Sequence, residues 1–194
     1  MTFIDPPDPT PDAQRLYDDD VAELGYVMNL THLWAHQPGS FDALFALLER
    51  AGEPLALDRR RRGILVAACA STLGDAYCSL AWGSRLAAAS DDDTAASVLR
   101  GGDHGLTAAE RAMAGWARAV ARDPNATVRT DVQVLRDHGF GDAEIFAITL
   151  FVALRLAFST VNDALGAHPD SAFRGTAPAP VQSAVTYGRP VGTT

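Results

Sequence analysis

The stretch Leu73-Gly-Asp-Ala-Tyr-Cys78-Ser-Leu-Ala-Trp82-Gly83 decides how this chain is read. A helical run of small and apolar residues, including Ile64, Leu65, Val66 and Cys69, leads into it and breaks near Gly74. A second helix starts at once. Asp75 stands where an N-cap belongs, because its short carboxylate can accept the free N–H groups of a first turn. Tyr77 to Ala89 then continues helically. Cys78 becomes the third helical residue, where unpaired N–H groups and the positive end of the helix dipole favour a thiolate. A free Cys is also commonly a small hydrophobe between helices. On these residues alone both readings of Cys78 stay open.

Outward from this stretch the helical signals continue in both directions. Asp58 caps the helix that carries Arg59 to Arg62, and Ser40 is a good cap for the apolar stripe Phe41, Leu44, Phe45, Leu47 and Leu48. Upstream, Ala13 to Leu24 reads as a first helix ended by Gly25, and Tyr26 to Ala35 as a second segment stopped at Pro38-Gly39. Downstream, Asp91 to Asp93 opens a short helix to Arg100. Thr107-Ala-Ala-Glu110 and Thr130-Asp-Val-Gln133 are capping boxes, in which the two end side chains satisfy each other's backbone N–H. Asp142 begins a long apolar helix closed by Gly166. The expected organisation is an extended Pro-rich arm over 1–12, one helical domain over 13–166 and an irregular tail over 167–194 that holds four prolines. No strand alternation is visible, so the expected class is all-α, with about seven or eight helices.

Composition agrees and excludes other classes. The chain has 194 residues, 47% of them hydrophobic, and 35 are Ala. That favours a helical domain with a sizeable core. All 16 basic residues are Arg, against 24 acidic ones, for a net charge of −8. An acidic surface does not suit phosphate neutralisation, so no nucleic-acid partner is expected. The absence of Lys rules out a Schiff-base lysine and a P-loop. Two cysteines cannot build a disulfide scaffold or a four-cysteine zinc site. His32 and His36 have metal-ligand spacing but no third ligand nearby, and packed or surface roles are expected. No metal and no cofactor are implied. The apolar run Ile145 to Val161 is slightly short for a membrane span, which needs roughly 20 residues. Met1 to Asp12 is acidic rather than basic then apolar. A cytoplasmic protein with no membrane partner is expected.

Other charged residues have ordinary readings. Glu110 belongs to its capping box and His138 to a helix C-terminus, where a cation is favoured. Arg59 to Arg62 reads as a solvated face, an intersubunit pairing surface or an anion site. Arg155 interrupts an apolar helix, and a buried guanidinium is costly without a partner. It must reach another helix, another subunit or a pocket.

Several pieces, in order, carry a family resemblance over roughly Leu16 to Asp170. They are Gly25-Tyr-Val-Met-Asn29, Ala35-His-Gln-Pro38, Tyr77-Cys78-Ser-Leu-Ala, Arg122-Asp-Pro124, Leu135-Arg-Asp-His-Gly-Phe140, Asp142-Ala-Glu-Ile145, Val161-Asn-Asp-Ala-Leu-Gly166 and Pro169-Asp170. The chain resembles the carboxymuconolactone decarboxylase and alkylhydroperoxidase D-like (AhpD-like) superfamily. The resemblance implies an all-α AhpD-like bundle that forms homo-oligomers: dimers, trimers or hexamers. In peroxidase members a Glu, a Cys-X-X-Cys pair and a His cooperate. The second thiol attacks the peroxide, the first resolves the sulfenic acid as a disulfide, and Glu and His relay protons. Here the attacking thiol falls on Cys78, the resolving thiol on Asp75, the His on Trp82 and the Glu on Gly63.

A carboxylate cannot form a disulfide, and one close to Cys78 raises the thiol pKa. Trp82 has no basic nitrogen to relay a proton. Cys69 precedes Cys78 by nine positions, about 13 Å along a continuous helix, and reads as core rather than as a resolving partner. The resemblance therefore implies a peroxidase-related oxidoreductase, of antioxidant type, that relies on Cys78 alone and takes its electrons from an external thiol. Tyr77 and Arg155 are candidate substrate-binding residues. Two alternatives accompany it: a catalytically inactive binding or scaffold oligomer, and a lactone-decarboxylase-type enzyme acting on a small organic acid.

Overall fold

Gly74 takes a left-handed conformation (φ 85°), and its N–H closes the last turn of the preceding helix onto Ala70 and Ser71. Only glycine adopts that φ without a Cβ penalty. One residue later the Asp75 carboxylate accepts from the Cys78 N–H at 2.9 Å and opens the next helix. A C-cap followed at once by an N-cap folds the chain back on itself. The result is an antiparallel hairpin of α4 (Arg59–Leu73) and α5 (Ala76–Ala89). The two helices touch where Gly63 meets Leu86, and a Cβ on Gly63 would come within 3.1 Å of the Leu86 Cβ.

The computed structural model describes residues 2–193; Met1 and Thr194, the outermost residues of the expected arm and tail, lie outside them. Among the described residues there are eleven helices and no strand, and eight of the helices have seven residues or more. The remaining elements are α1 (Pro11–Leu24), α2 (Asn29–Trp34), α3 (Pro38–Gly52), α6 (Asp92–Leu99), α7 (Ala108–Arg122), α8 (Arg129–Asp137), α9 (Asp142–Ala164), α10 (Phe173–Thr176) and α11 (Ala179–Ala184). The all-α expectation is met.

α4 is the centre of the bundle. After its arginine turn, Gly63 to Ala70 are buried without interruption, with α5, α6, α7 and α9 packed around them. A helix apolar on every side can be stable only when wrapped in this way. α9 crosses the bundle against α3, α4 and α7. It runs to 23 residues, longer than its apolar run, because polar residues extend both ends. By length and composition it is long enough to cross a membrane, but nine of its residues, Arg155 included, face the protein interior.

Three local expectations change. The third helix begins at Pro38, with Gln37 as its cap, because proline is already set at helical φ. Ser40 then sits inside the first turn and donates to Gln37 Oε1 at 2.9 Å. α8 begins at Arg129 rather than after Thr130, with the Val128 N–H held by Asp131 at 2.9 Å. The stretch expected as an irregular tail contains α10 and α11, and Val181 and Ala184 of α11 are buried against α5 and α6. At the other end Phe3 of the arm pairs by its N–H with the Leu165 carbonyl at 2.8 Å.

The other caps form as expected: Asp58, Asp91 and the Thr107–Glu110 box all accept their backbone donors. Glu110 also takes Arg60 in a largely buried ion pair at 2.7 Å. Arg62 pairs with Glu49. Two residues of the arginine run are thus tied within the chain.

Candidate active site around Cys78

Cys78 lies in the smaller of two apolar clusters, with Leu30 and Leu33 of α2, Ala70 of α4, Tyr77, Phe158 of α9 and Ala167. Its side chain is 2% exposed. Aromatic rings pack on this cluster: Trp34 stacks on Phe158 at 5.3 Å, and Phe45 meets the same ring edge-on at 5.4 Å.

Two charged groups from different helices meet at this sulfur. Arg155 of α9 donates from Nη2 to Cys78 Sγ at 3.2 Å. This answers where the lone arginine of the apolar helix goes: its guanidinium is 3% exposed, and no carboxylate lies within ion-pair range of it among the described residues. Its charge is met by rings, with Cζ 4.9 Å from the Phe158 centroid and 5.7 Å from Trp82. Asp75 approaches from the helix cap. It is wholly buried; Oδ1 holds the Cys78 N–H, while Oδ2 has no hydrogen-bond partner.

Burial pushes the Cys78 thiol well above its ordinary range. The negative charge of Asp75 pushes the same way, while Arg155 and Ser159 pull it down. The competition left open by the sequence is therefore decided against the thiolate: desolvation and the carboxylate outweigh the favourable helix terminus. Cys69, also a free thiol, is pushed up to about 12 by burial, with Arg155 lowering and Asp75 raising it. It feels the same two charges because the chain reverses at Gly74, so the estimate along a continuous helix does not apply.

The other anticipated residues divide. Trp82 follows Cys78 by one turn and packs on the same cluster. Two guanidiniums approach its ring, Arg85 at 4.8 Å and Arg155 at 5.7 Å from the centroid. Tyr77 faces elsewhere: its hydroxyl donates to the buried Asp170, which also accepts the Asn29 N–H at 2.8 Å, and its ring meets Phe173 edge-on. That brace ties α5 to α2 and to the segment after α9. Gly63, where the resemblance sets a Glu, is filled by its contact with Leu86. His32 packs on Tyr17, and His36 reaches the Asp5 carbonyl. Among the described residues no group of three or more His, Cys, Asp or Glu is placed to hold a metal ion.

Several contributors were not singled out in the sequence. Ser159 follows Arg155 by one turn, and Asn162 and Asp163 follow Ser159. This polar stripe on an apolar helix was a readable signal. Asn162 accepts from Trp34 Nε1 at 2.9 Å. Asp163 is pushed up to about 6 by burial and then by the charge of Asp75, with Arg189 opposing. The C-terminal segment closes this side. Tyr187 donates to Ser79 Oγ at 3.1 Å, and Arg189 donates to the Asp163 carbonyl at 2.9 Å.

The arrangement is an AhpD-like helical bundle with one buried thiol between an acid and a guanidinium. No family model and no curated protein matches the sequence. Solved structures do match. A peroxidase-related protein from Ralstonia eutropha JMP134, described as an alkylhydroperoxidase AhpD core, superposes with TM-score 0.71 at 22% identity, over 89% of this chain and 94% of that one. A peroxidase-related protein from Silicibacter sp. TM1040 gives TM-score 0.73 at 23% identity, over 90% and 95%. The debrominase Bmp8, as a cysteine-to-alanine variant with 2,3,4-tribromopyrrole, gives TM-score 0.69 at 16% identity, over 91% and 96%. The fold is that of the peroxidase-related AhpD-like proteins.

Two measurements check the electrostatics. In a Cys69→Ala background, Asp75→Asn keeps an N-cap but removes the charge, and the Cys78 alkylation rate at pH 8 is expected to rise about tenfold, whereas Arg155→Met lowers it. Equal rates in all three proteins would refute this account of the thiol. Asp163 has its pKa raised in the folded state, so its stability contribution is full below the unfolded value of about 3.9 and is lost as pH rises through about 6. Asp163→Asn is therefore expected to raise the Tm by roughly 2–4 °C at pH 7.5 and to leave it unchanged or lower at pH 3.5.

Proposed function

We propose that this protein is a single-thiol oxidoreductase that reduces hydroperoxides at Cys78. One observation carries the reading: the Asp75 carboxylate, with an unpartnered oxygen, and the Arg155 guanidinium flank one sulfur. An adjacent base is the usual means of activating a thiol whose own pKa is high. In the forward step the Cys78 S–H proton passes to Asp75 as sulfur attacks the terminal peroxide oxygen. The O–O bond breaks, the leaving alkoxide takes the proton from Asp75, and Cys78 is left as a sulfenic acid. Arg155 stabilises the negative charge that develops on sulfur and then on the leaving oxygen.

Asp75 cannot resolve the sulfenic acid. An external low-molecular-weight thiol does so: its first molecule condenses with the sulfenic acid, forming a mixed disulfide and water. A second molecule displaces Cys78 as the free thiol and leaves as the disulfide. This need for a soluble thiol fits a reducing, cytoplasmic setting. The shared fold with the debrominase Bmp8, solved with 2,3,4-tribromopyrrole, makes a brominated pyrrole the second electrophile to offer the thiol. The near-complete burial of Cys78 favours one competing reading, an inactive binding or scaffold oligomer.

The decisive test is to mix the reduced protein with cumene hydroperoxide and trap sulfenic acid with dimedone, read by mass. Adduct at Cys78, absent in Cys78→Ser, present in Cys69→Ala and lost about tenfold or more in Asp75→Asn, which keeps the cap but cannot protonate the leaving alkoxide (a proton that alkylation does not need), supports the reading. No adduct at Cys78 with any peroxide, in a folded protein, rejects it in favour of the inactive one.

We further infer a homo-oligomer, supported by the outer face of α9, where Phe146 is 70% exposed and Val161 36% exposed among alanines. Light scattering should give a multiple of 20.6 kDa that Phe146→Glu reduces; a monomeric wild type would dismiss this.

A further inference from the structure

The row of side chains that begins at Cys78 does not end at Trp82. Trp82 and Arg85 follow at one and two turns along the same face of α5. Beyond the indole the molecule opens into a cavity of about 580 Å³, bounded by Glu23, Leu57, Arg59, Arg62, Trp82 and Arg85. That size falls in the usual small-molecule range of about 300–1,000 Å³.

Its charge is unbalanced. Arg62 is matched by Glu49, and Glu23 faces Arg85 without ion-pair contact. Neither Arg59 nor Arg85 has a carboxylate within ion-pair range among the described residues. Three guanidiniums thus line one cavity with a single carboxylate, Glu23, and a fourth, Arg155, lies 5.7 Å from the Trp82 ring centroid. Desolvation lowers the Arg85 pKa, Glu23 opposes it and repulsion from Arg155 adds to it, so an anion beside Arg85 meets a guanidinium whose charge is not fully balanced. Such an excess of positive charge stands out in a chain of net charge −8. Trp82 and Leu57 supply an apolar wall beside it.

We propose that this cavity binds an organic monoanion, its carboxylate between Arg85 and Arg59 and its apolar body against Trp82 and Leu57. The inference deepens the single-thiol reading and rests on it for its chemistry: the Cys78 substrate is a hydroperoxide bearing a carboxylate, which lies past Trp82 while the peroxide reaches the sulfur. Trp82 then replaces a proton-relaying residue with a surface that holds the substrate body and separates the anion site from the thiol.

Binding and chemistry are read separately. On the full chain carrying Cys78→Ser, calorimetry with benzoate should give saturable binding, with benzamide, the uncharged isostere, at least about tenfold weaker. The Arg59→Gln/Arg85→Gln double variant should lose about tenfold in benzoate affinity with unchanged Tm. On the reactive protein, the fatty-acid hydroperoxide of linoleate should oxidise Cys78 about tenfold more efficiently than its methyl ester, and the double variant should erase that preference. Equal binding of benzoate and benzamide, or undiminished binding by the double variant, overturns the site. Benzoate binding with no preference for the acid hydroperoxide overturns the substrate assignment alone. Binding with no oxidation of Cys78 by any peroxide overturns the single-thiol reading and keeps the anion site.

Discussion

The buried carboxylate of Asp75 is where fold and chemistry become one problem. With one oxygen it caps α5 and so fixes the reversal at Gly74 on which the α4–α5 hairpin depends. The other oxygen is left without a partner inside the protein. Burying a carboxylate that is only half satisfied costs free energy, and a packed apolar replacement would commonly be as stable. An Asn or Ser would have served as a cap without carrying charge inward. What the carboxylate adds is a negative charge beside Cys78.

Arg155 is the counterpart from the opposite side. A guanidinium in the middle of an apolar helix is held by a sulfur and by the faces of Phe158 and Trp82 rather than by a carboxylate. Rings repay only part of the desolvation of a cation. Asp75 and Arg155 balance each other through the site without forming a direct ion pair, and the thiol lies between them. A close pair would quench both charges. Kept apart by the sulfur, each charge acts on the thiol itself, Asp75 raising its pKa and Arg155 lowering it.

Local chemistry made much of the fold legible, and nonlocal packing hid most of the site. Asp58, Asp75, Asp91 and Thr107 act within their own first turns, so their sequence context was enough. Ser40 and Thr130 failed as caps because better local solutions lay two residues upstream: Pro38 preset the helical φ, and Asp131 reached back to Val128. The segment after residue 167 looked irregular because its prolines and glycines break helices, yet Val181 finds a place against α5 and α6 that no local pattern encodes. Cys78, Asp75 and Trp82 could be read because they share one helix. The partner of Arg155 lies 77 residues away in sequence, and the roles of Ser159, Tyr187 and Arg85 emerge only once helices are packed.

The close approach of α4 and α5 explains why an acid would stand on the cap and not on the neighbouring helix. At Gly63 a Cβ would come within 3.1 Å of the Leu86 Cβ, so a side chain there requires α5 to give by a few tenths of an ångström. A carboxylate one turn before Cys78 needs no such room, because the helix start already opens space for a capping side chain. The exchange has a chemical consequence. An acid at that position cannot also be a resolving thiol, so a tight α4–α5 contact, a buried carboxylate at Asp75 and the lack of a second thiol there form one linked set of features rather than three separate losses.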